Sequence, residues 1–373
     1  MKDKIAYIFD ERLQKECDRL PAVLKRASIV QDLITCYNLL SNENVSVISS
    51  TPASEDELKY FHSTAYVDFL KKINDVEDLD LFDEQQLEFG LGYDCPLLPR
   101  LYDLIRILVG GSLTAAKLLG AGTYNIAINW CGGWHHAQRN EAEGFCYIND
   151  VVIAIQKLTE TFSRILYIDL DIHHGNGVQN AFELSKKVLT LSFHKVSPGF
   201  YPGTGLLDDV GCLGGKYYSL NVPLQEGCSN KTYLRYFTTI FPRIMEAFQP
   251  SALVIQCGAD VINGDPIGKF NVTPEGLQIC VQQILDFKLP TLFLGGGGYN
   301  FANTARYWTI LTSIILQTKL NNDIPDDSKY FTKYEPTYEL QIDEGNQKDC
   351  NTEKYIDEVI AVLLSYCDFI QNS

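Results

Sequence analysis

Four of the chain's six histidines stand in two adjacent pairs: His135 and His136 in GGWHHAQ (132–138), and His173 and His174 in DLDIHHGNG (169–177). The second pair follows the apolar run ILYI. Asp171 and His173 alternate at its end, so on an extended backbone both side chains point the same way. Asp260, in VIQCGAD, offers a third, oxygen ligand. Two carboxylates and one imidazole balance a divalent cation and leave a position open for water. Zn²⁺ fits this set, and Fe²⁺, Co²⁺ or Mn²⁺ also suit an oxygen-rich site. The plainer alternative, aspartates that cap helices or pair with Arg or Lys, accounts less well for Asp-x-His spacing after a strand. An open-coordinate metal acts as a Lewis acid and activates water. Hydrolysis then needs a proton acceptor and a donor near neutral pH, a task suited to histidine. His135 and His136 could serve, with the glycines before them letting the backbone turn tightly. A lone histidine would more readily be a core residue; a pair at a strand end beside a metal set points to catalysis. GGGGY (295–299) lacks the Lys-Ser/Thr of a phosphate loop, but Tyr299 could donate a hydrogen bond to a developing oxyanion. His62, His174 and His194 read as structural.

Such residues need a frame. Eight short runs rich in β-branched and aromatic residues recur at 4–9, 46–49, 124–130, 164–170, 188–193, 217–222, 252–257 and 291–296. Most are almost continuously apolar, as strands covered on both faces are. Amphipathic segments lie between or after them: RASIVQDLITCYNLL, DVVIAIQKL, TPEGLQICVQQILDF, ANTARYWTILTSIIL and IDEVIAVLLSYCDFI. The third opens with Thr273 as N-cap and Pro274 at the first helical position. Alternating strand and helix predicts an α/β fold with a parallel sheet. Five polar or glycine-rich stretches follow five of the strands: GGWHH, DLDIHHGNG, HKVSPGFYPGTG, GAD and GGGGY. Open parallel sheets bind ligands beyond the carboxyl ends of their strands, so the five should converge on one pocket.

The bulk properties narrow the partners. With 46% hydrophobic residues the 373-residue chain can bury a large core. No repeat, low-complexity stretch or Pro/Gly/Ser-rich linker interrupts it, so 1–373 reads as a single domain. A net charge of −16 disfavours nucleic acid and anionic membranes and favours cationic partners. The acidic stretch from Asp75 to Glu84 reads as a solvated loop. Eleven cysteines without a CxxC pair, most inside apolar runs, suggest reduced thiols rather than a disulfide framework. No signal peptide and no membrane span is expected.

Taken together, INWCGGWHHAQRNEAEGFCYIND, ILYIDLDIHHGNG, SPGFYPGTG, GAD and GGGGY resemble the zinc-dependent histone deacetylases of class I, over nearly the whole chain. KRASIVQDLI, GYDCP, GDPIGKFNVTPEG and GGGGYNFANTARYWT are most similar to the subtype-8 branch. The resemblance implies an arginase/deacetylase-like fold with an eight-stranded parallel sheet. It implies hydrolysis of the acetamide of N6-acetyl-lysine in histone or non-histone proteins, in nucleus and cytoplasm. Asp171, His173 and Asp260 match the zinc ligands. His136 matches the acid/base and His135 a mainly electrostatic partner, with Asp169 and Asn176 in the catalytic set beside them. Tyr299 matches the phenol that polarises the scissile carbonyl. Gly144 and Phe145 match one wall of the acyl-lysine tunnel and Tyr201 the other; Asp94 matches the rim carboxylate, and Ile267 joins the substrate-binding set. Asp169, Asp171, His173, Ser192 and Phe193 match one potassium site, and Phe182, Ser185, Val188 and Tyr218 a second. Arg26 matches a residue behind the pocket tied to acetate release. Hydroxamate-type inhibitors are expected to chelate the zinc. The chain departs from the subtype-8 pattern at Asn176 (for Asp), Tyr201 (for Phe), Ile267 (for Met), Cys131 (for Ser) and Ser185 (for Thr). Asn176 gives His136 a neutral partner, which lowers the basicity expected of it. An acetylpolyamine deacetylase on the same fold is the chief alternative. A manganese ureohydrolase disagrees with the single D-x-H and the Tyr299 loop, and a non-catalytic scaffold would not need the metal set.

Overall fold

A computed structural model describes residues 3–76 and 83–372; most of the acidic stretch 75–84 lies outside them. Each of the eight apolar runs supplies one strand: β1 Ile5–Ile8, β2 Val45–Ile48, β3 Ile126–Asn129, β4 Ile165–Asp169, β5 Val188–Lys195, β6 Ser219–Leu224, β7 Ala252–Gln256 and β8 Thr291–Leu294. They form one sheet in the order β2-β1-β3-β8-β7-β4-β5-β6, and every neighbouring pair is parallel. The continuous apolarity of the runs has a direct cause. Successive side chains point to opposite faces, and both faces are covered. Leu166 and Ile168 enter the core on one side of the sheet, Ile165 and Tyr167 the core on the other.

The amphipathic segments form helices over Arg26–Cys36, Asp150–Leu158, Pro274–Asp286, Phe301–Ile315 and Glu353–Gln371. Thr273 does occupy the N-cap position, but its side chain makes no capping bond. Its hydroxyl instead accepts a hydrogen bond from Asn230 Nδ2 (2.8 Å). All eleven cysteines are free thiols, and seven are buried. No helix among the described residues is long and apolar enough to cross a membrane.

The order of the sheet explains the convergence of motifs. β3, β8, β7, β4 and β5 are consecutive neighbours, and these are the strands that precede GGWHH, GGGGY, GAD, DLDIHHGNG and HKVSPGFYPGTG. The five loops leave the same edge of the sheet side by side, because parallel strands all end there.

Candidate metal centre and active site

The turn after β4 is held by its own side chains. Asp169 Oδ1 accepts the backbone N–H of Asp171 (3.1 Å), and Asp171 Oδ1 accepts that of His173 (3.0 Å). The backbone N–H of Ile172 donates to Asp260 Oδ1 (3.1 Å), which fastens the loop after β7 to the loop after β4. Asp171, His173 and Asp260 thereby meet, their potential ligand atoms all within 4.8 Å of one another. His173 Nδ1 lies 3.2 Å from Asp171 Oδ1 and 3.0 Å from Asp260 Oδ2. The glycine loop after β8 closes over them, with Gly297 N–H donating to Asp171 Oδ2 (2.8 Å). A Cβ at Gly297 would stand 2.1 Å from Asp260 Oδ2, so only glycine permits this approach.

These residues suit a divalent cation. Asp171 and Asp260 are 1% and 0% exposed, and among the described residues no Lys or Arg forms an ion pair with either. Buried carboxylates without a cationic partner are costly. Burial and the neighbouring charge of Asp171 push the Asp260 carboxyl up to about 7. Burial disfavours charge on His173, but hydrogen bonds and attraction from both carboxylates outweigh it and push its pKa up to about 10. A site that binds protons this strongly between two oxygens is one that would also hold a metal ion.

The tandem histidines are placed by the helix Asp150–Leu158. Its N-cap residue, Asn149, donates from Nδ2 to the carbonyls of His135 (3.2 Å) and Ala137 (3.0 Å). Asp150 accepts the backbone N–H groups of Gly133 (3.1 Å) and Trp134 (2.8 Å). Gly133 has φ of +101°, a conformation that favours glycine, and a Cβ there would meet Gly295 O at 2.4 Å. The two glycine loops are thus packed against each other.

The ring nitrogens form a chain whose protons can be assigned from the partners. Asp169 Oδ2 lies 2.7 Å from His135 Nδ1, His135 Nε2 lies 3.0 Å from His136 Nε2, and His136 Nδ1 lies 2.8 Å from Asn176 Oδ1. Asn176 Oδ1 only accepts, so His136 carries its proton on Nδ1 and offers a lone pair at Nε2. His135 must then donate from both nitrogens, as an imidazolium. Electrostatics agree. Burial opposes charge on His135, but Asp169 and Asp171 overcome it and raise the pKa to about 9. Burial, then the charges on His135 and His173, drive His136 well below the usual imidazole value. Two titratable groups in contact are thus pushed in opposite directions, the pattern that suits an acid/base pair.

A narrow cavity opens onto these groups, lined by Trp134, His135, His136, Gly144, Phe145, Cys146, Asp171, His173, Gly297 and Tyr299 among others. The Tyr299 ring stands edge-on to Phe145, centroids 5.7 Å apart. Behind it Arg26 is buried, donates from Nη1 to Gly298 O (3.0 Å) and lies 4.9 Å from the centroid of the Trp308 ring. Gly144 has φ of +55°, and a Cβ there would stand 2.6 Å from His136 Cδ2 and 2.7 Å from the Tyr201 hydroxyl. Tyr201 stands beside these groups, its ring 5.0 Å from that of His136 and its hydroxyl bonded to Glu143 (2.6 Å). Phe200 stacks on His173 at 5.0 Å. Asp94 and Ile267 sit on outer loops, Asp94 exposed and Ile267 36% exposed. His62, His174 and His194 are buried and hydrogen-bonded to Asn149, to Thr204 and Gln179, and to Ser192 and Gly205 respectively. Asp169 pairs with Ser192 in the β4–β5 register, which sets these two members of the first candidate potassium group side by side. In the second, the Ser185 N–H donates to Phe182 O (2.8 Å), and Tyr218 O accepts the Thr190 N–H (2.9 Å).

Sequence reasoning missed Asn149, Asp150, Gln256 and Glu143. Gln256 ends β7 and donates to Asp171 Oδ2 (2.8 Å). A polar residue closing a wholly apolar strand was the available signal for it, and the YIND tetrad before a helix was the signal for the asparagine and aspartate.

Comparison with known proteins accords with this geometry. The family described as Histone deacetylase domain matches residues 20–315. Histone deacetylase 8 of Xenopus tropicalis is 45% identical over 355 residues, covering 95% of this chain and 95% of its own length. Histone deacetylase 8 of Danio rerio is 44% identical over 359 residues, covering 96% and 94%. Histone deacetylase 1 of Homo sapiens is 40% identical over 327 residues, covering 87% and 67%. The chain is a hydrolase that belongs to the histone deacetylase family, on its class I side and similar to its subtype-8 members.

Proposed function

We propose that the chain hydrolyses the acetamide of N6-acetyl-lysine side chains in histone or other proteins, releasing lysine and acetate. The observation that carries this is the meeting, in one narrow cavity, of a buried Asp171–His173–Asp260 group, an imidazole pair 3.0 Å apart and the Tyr299 phenol. Asp171, His173 and Asp260 would hold Zn²⁺, with Fe²⁺ or Co²⁺ as workable substitutes. When bound, the ion supplies Lewis acidity to the scissile carbonyl and acidifies nearby water. His136 Nε2 exchanges its contact with the His135 N–H (3.0 Å) for the attacking water and accepts its proton, and the pair later returns a proton to the departing lysine amine. The His135 imidazolium, held by Asp169, stabilises the negative charge that develops. Tyr299 donates to the carbonyl oxygen as it becomes an oxyanion. Gly144, Phe145 and Tyr201 sheathe the aliphatic stem of the lysine, Asp94 and Ile267 meet the substrate at the rim, and Arg26 lies on the route for acetate. A hydroxamate reaching the floor of the cavity would chelate the ion. The Asp169, Asp171, His173, Ser192 and Phe193 group, and the Phe182, Ser185, Val188 and Tyr218 group, suit structural K⁺. Residues 1–373 act as one catalytic domain, in nucleus and cytoplasm.

The net charge of −16 suits a lysine-rich peptide but suits an acetylated polyamine as well. The two separate in one assay: kcat/KM on an acetyl-lysine peptide is expected to exceed that on N-acetylputrescine. The reverse order would assign the chain to small amides.

If His135 works as an imidazolium, activity falls as pH rises through its pKa near 9. Asp169 favours that charged form, so Asp169→Asn lowers the pKa and should move the alkaline limb of kcat/KM to lower pH, by about 1–3 units. A limb that stays in place would show that His135 does not act through its charge.

A further inference from the structure

Asn176 faces His136 with one end of an amide whose two ends are nearly the same size. Presented as Oδ1, it requires a proton on His136 Nδ1 and leaves Nε2 as an acceptor, its lone pair toward His135 Nε2 (3.0 Å). Presented as Nδ2, it would force the proton onto Nε2 and remove the acceptor from the cavity. Something must choose between the two. The Nδ2 atom of Asn176 lies 2.9 Å from Glu143 Oε1. A carboxylate only accepts, so the NH₂ end is held toward Glu143 and the oxygen toward His136. Asn176 is 6% exposed, so water is poorly placed to substitute.

Glu143 is itself fixed. Its Oε1 also accepts the Tyr201 hydroxyl (2.6 Å), and its Oε2 accepts Gln138 Nε2 (2.7 Å). The same Gln138 nitrogen donates to His136 O (3.0 Å), and Gln138 Oε1 accepts from Asn180 Nδ2 (3.1 Å). Among the described residues no Lys or Arg neutralises Glu143, so its acceptors are spent on this network alone.

We propose that Glu143 is a positioning residue for catalysis, orienting the Asn176 amide and through it holding His136 as the Nδ1–H tautomer. The chain thus keeps its negative charge one residue further from the imidazole, relayed by a neutral amide. This rests on the reading of His136 as proton acceptor.

A swap of the charge tests it. Glu143→Ala releases the amide and should lower kcat about 10–100-fold, the usual scale for a residue that supports a reacting group, with a smaller change in KM. Asn176→Asp alone should also lower kcat, because it sets a second carboxylate against Glu143 where neither can donate. The double variant Glu143→Ala/Asn176→Asp should recover most of the loss, since a carboxylate presents an acceptor to His136 in either orientation. Thermal unfolding checks that each variant folds. Tyr201→Phe removes only the other bond to Glu143 and should move KM more than kcat. The proposal is overturned if Glu143→Ala keeps wild-type kcat, if the double variant is no better than the worse single variant, or if Tyr201→Phe reproduces the whole kcat loss. His136→Ala, run alongside, separates the two levels. Its inactivity beside an unimpaired Glu143→Ala sinks the proposal alone; full activity in His136→Ala sinks the acceptor role and the proposal with it.

Discussion

Asp171→Ala and Asp260→Ala are each expected to reduce acetyl-lysine hydrolysis to background. Both carboxylates are buried, both reach His173 Nδ1, and neither has a Lys or Arg partner among the described residues. Their placement makes sense as the charge complement of a divalent cation. Removing either leaves a buried site with too little negative charge to hold one. Lewis acidity contributes several kcal/mol to such reactions, and each 1.4 kcal/mol is a factor of ten, so a loss of about 10³-fold or more is the natural scale. Each purified variant is assayed for turnover and for bound metal. Loss of both together is the expected result; full turnover in either variant would mean these three residues do not form the working metal centre.

Tyr299→Phe is expected to lower kcat by about 10²–10³ while leaving KM nearly unchanged. The position of the ring does not depend on the hydroxyl. The Tyr299 backbone N–H donates to Asp265 Oδ2 (2.7 Å), the preceding carbonyl accepts Arg26 Nη1 (3.0 Å), and the ring packs on Phe145. Burial raises the phenol's pKa well above its ordinary value, so it stays a donor throughout the working pH range. Phenylalanine keeps all of this except one hydrogen bond, and that bond strengthens as the carbonyl oxygen gains charge. An interaction made mainly in the transition state affects kcat, not binding. Michaelis profiles for the two proteins decide it, and equal kcat values would reduce the glycine loop to a turn.

The sheet was legible because its strands are covered on both faces: a run such as ILYID has no polar residue until Asp169 at its very end. The same feature located the site, since polar residues gather where five neighbouring strands stop. Asp171 and His173 could be paired from their Asp-x-His spacing just past a strand, although the segment bends there and its own side-chain bonds hold the two together. Asp260 was named from its place after another apolar run, and the sheet order that sets β7 beside β4 is what brings it there. What spacing could not show was who orients whom. Asn149 and Asp150 read as the start of a helix, yet their side chains turn back to clamp the histidine loop. Glu143 read as one acidic residue among 47 Asp and Glu, and only the folded chain sets it against Asn176, 33 positions away.

The central claim, a metal-dependent deacetylase acting on lysine, meets its most direct test in product release. Acetate and free lysine are measured from an acetyl-lysine peptide with the chain as purified, after stripping with a strong chelator, and after return of Zn²⁺. The account predicts equal amounts of acetate and lysine at first, neither after stripping, and recovery that saturates at a single equivalent of Zn²⁺ per chain. Undiminished release from the stripped protein, or no release from the zinc-loaded one, would contradict it.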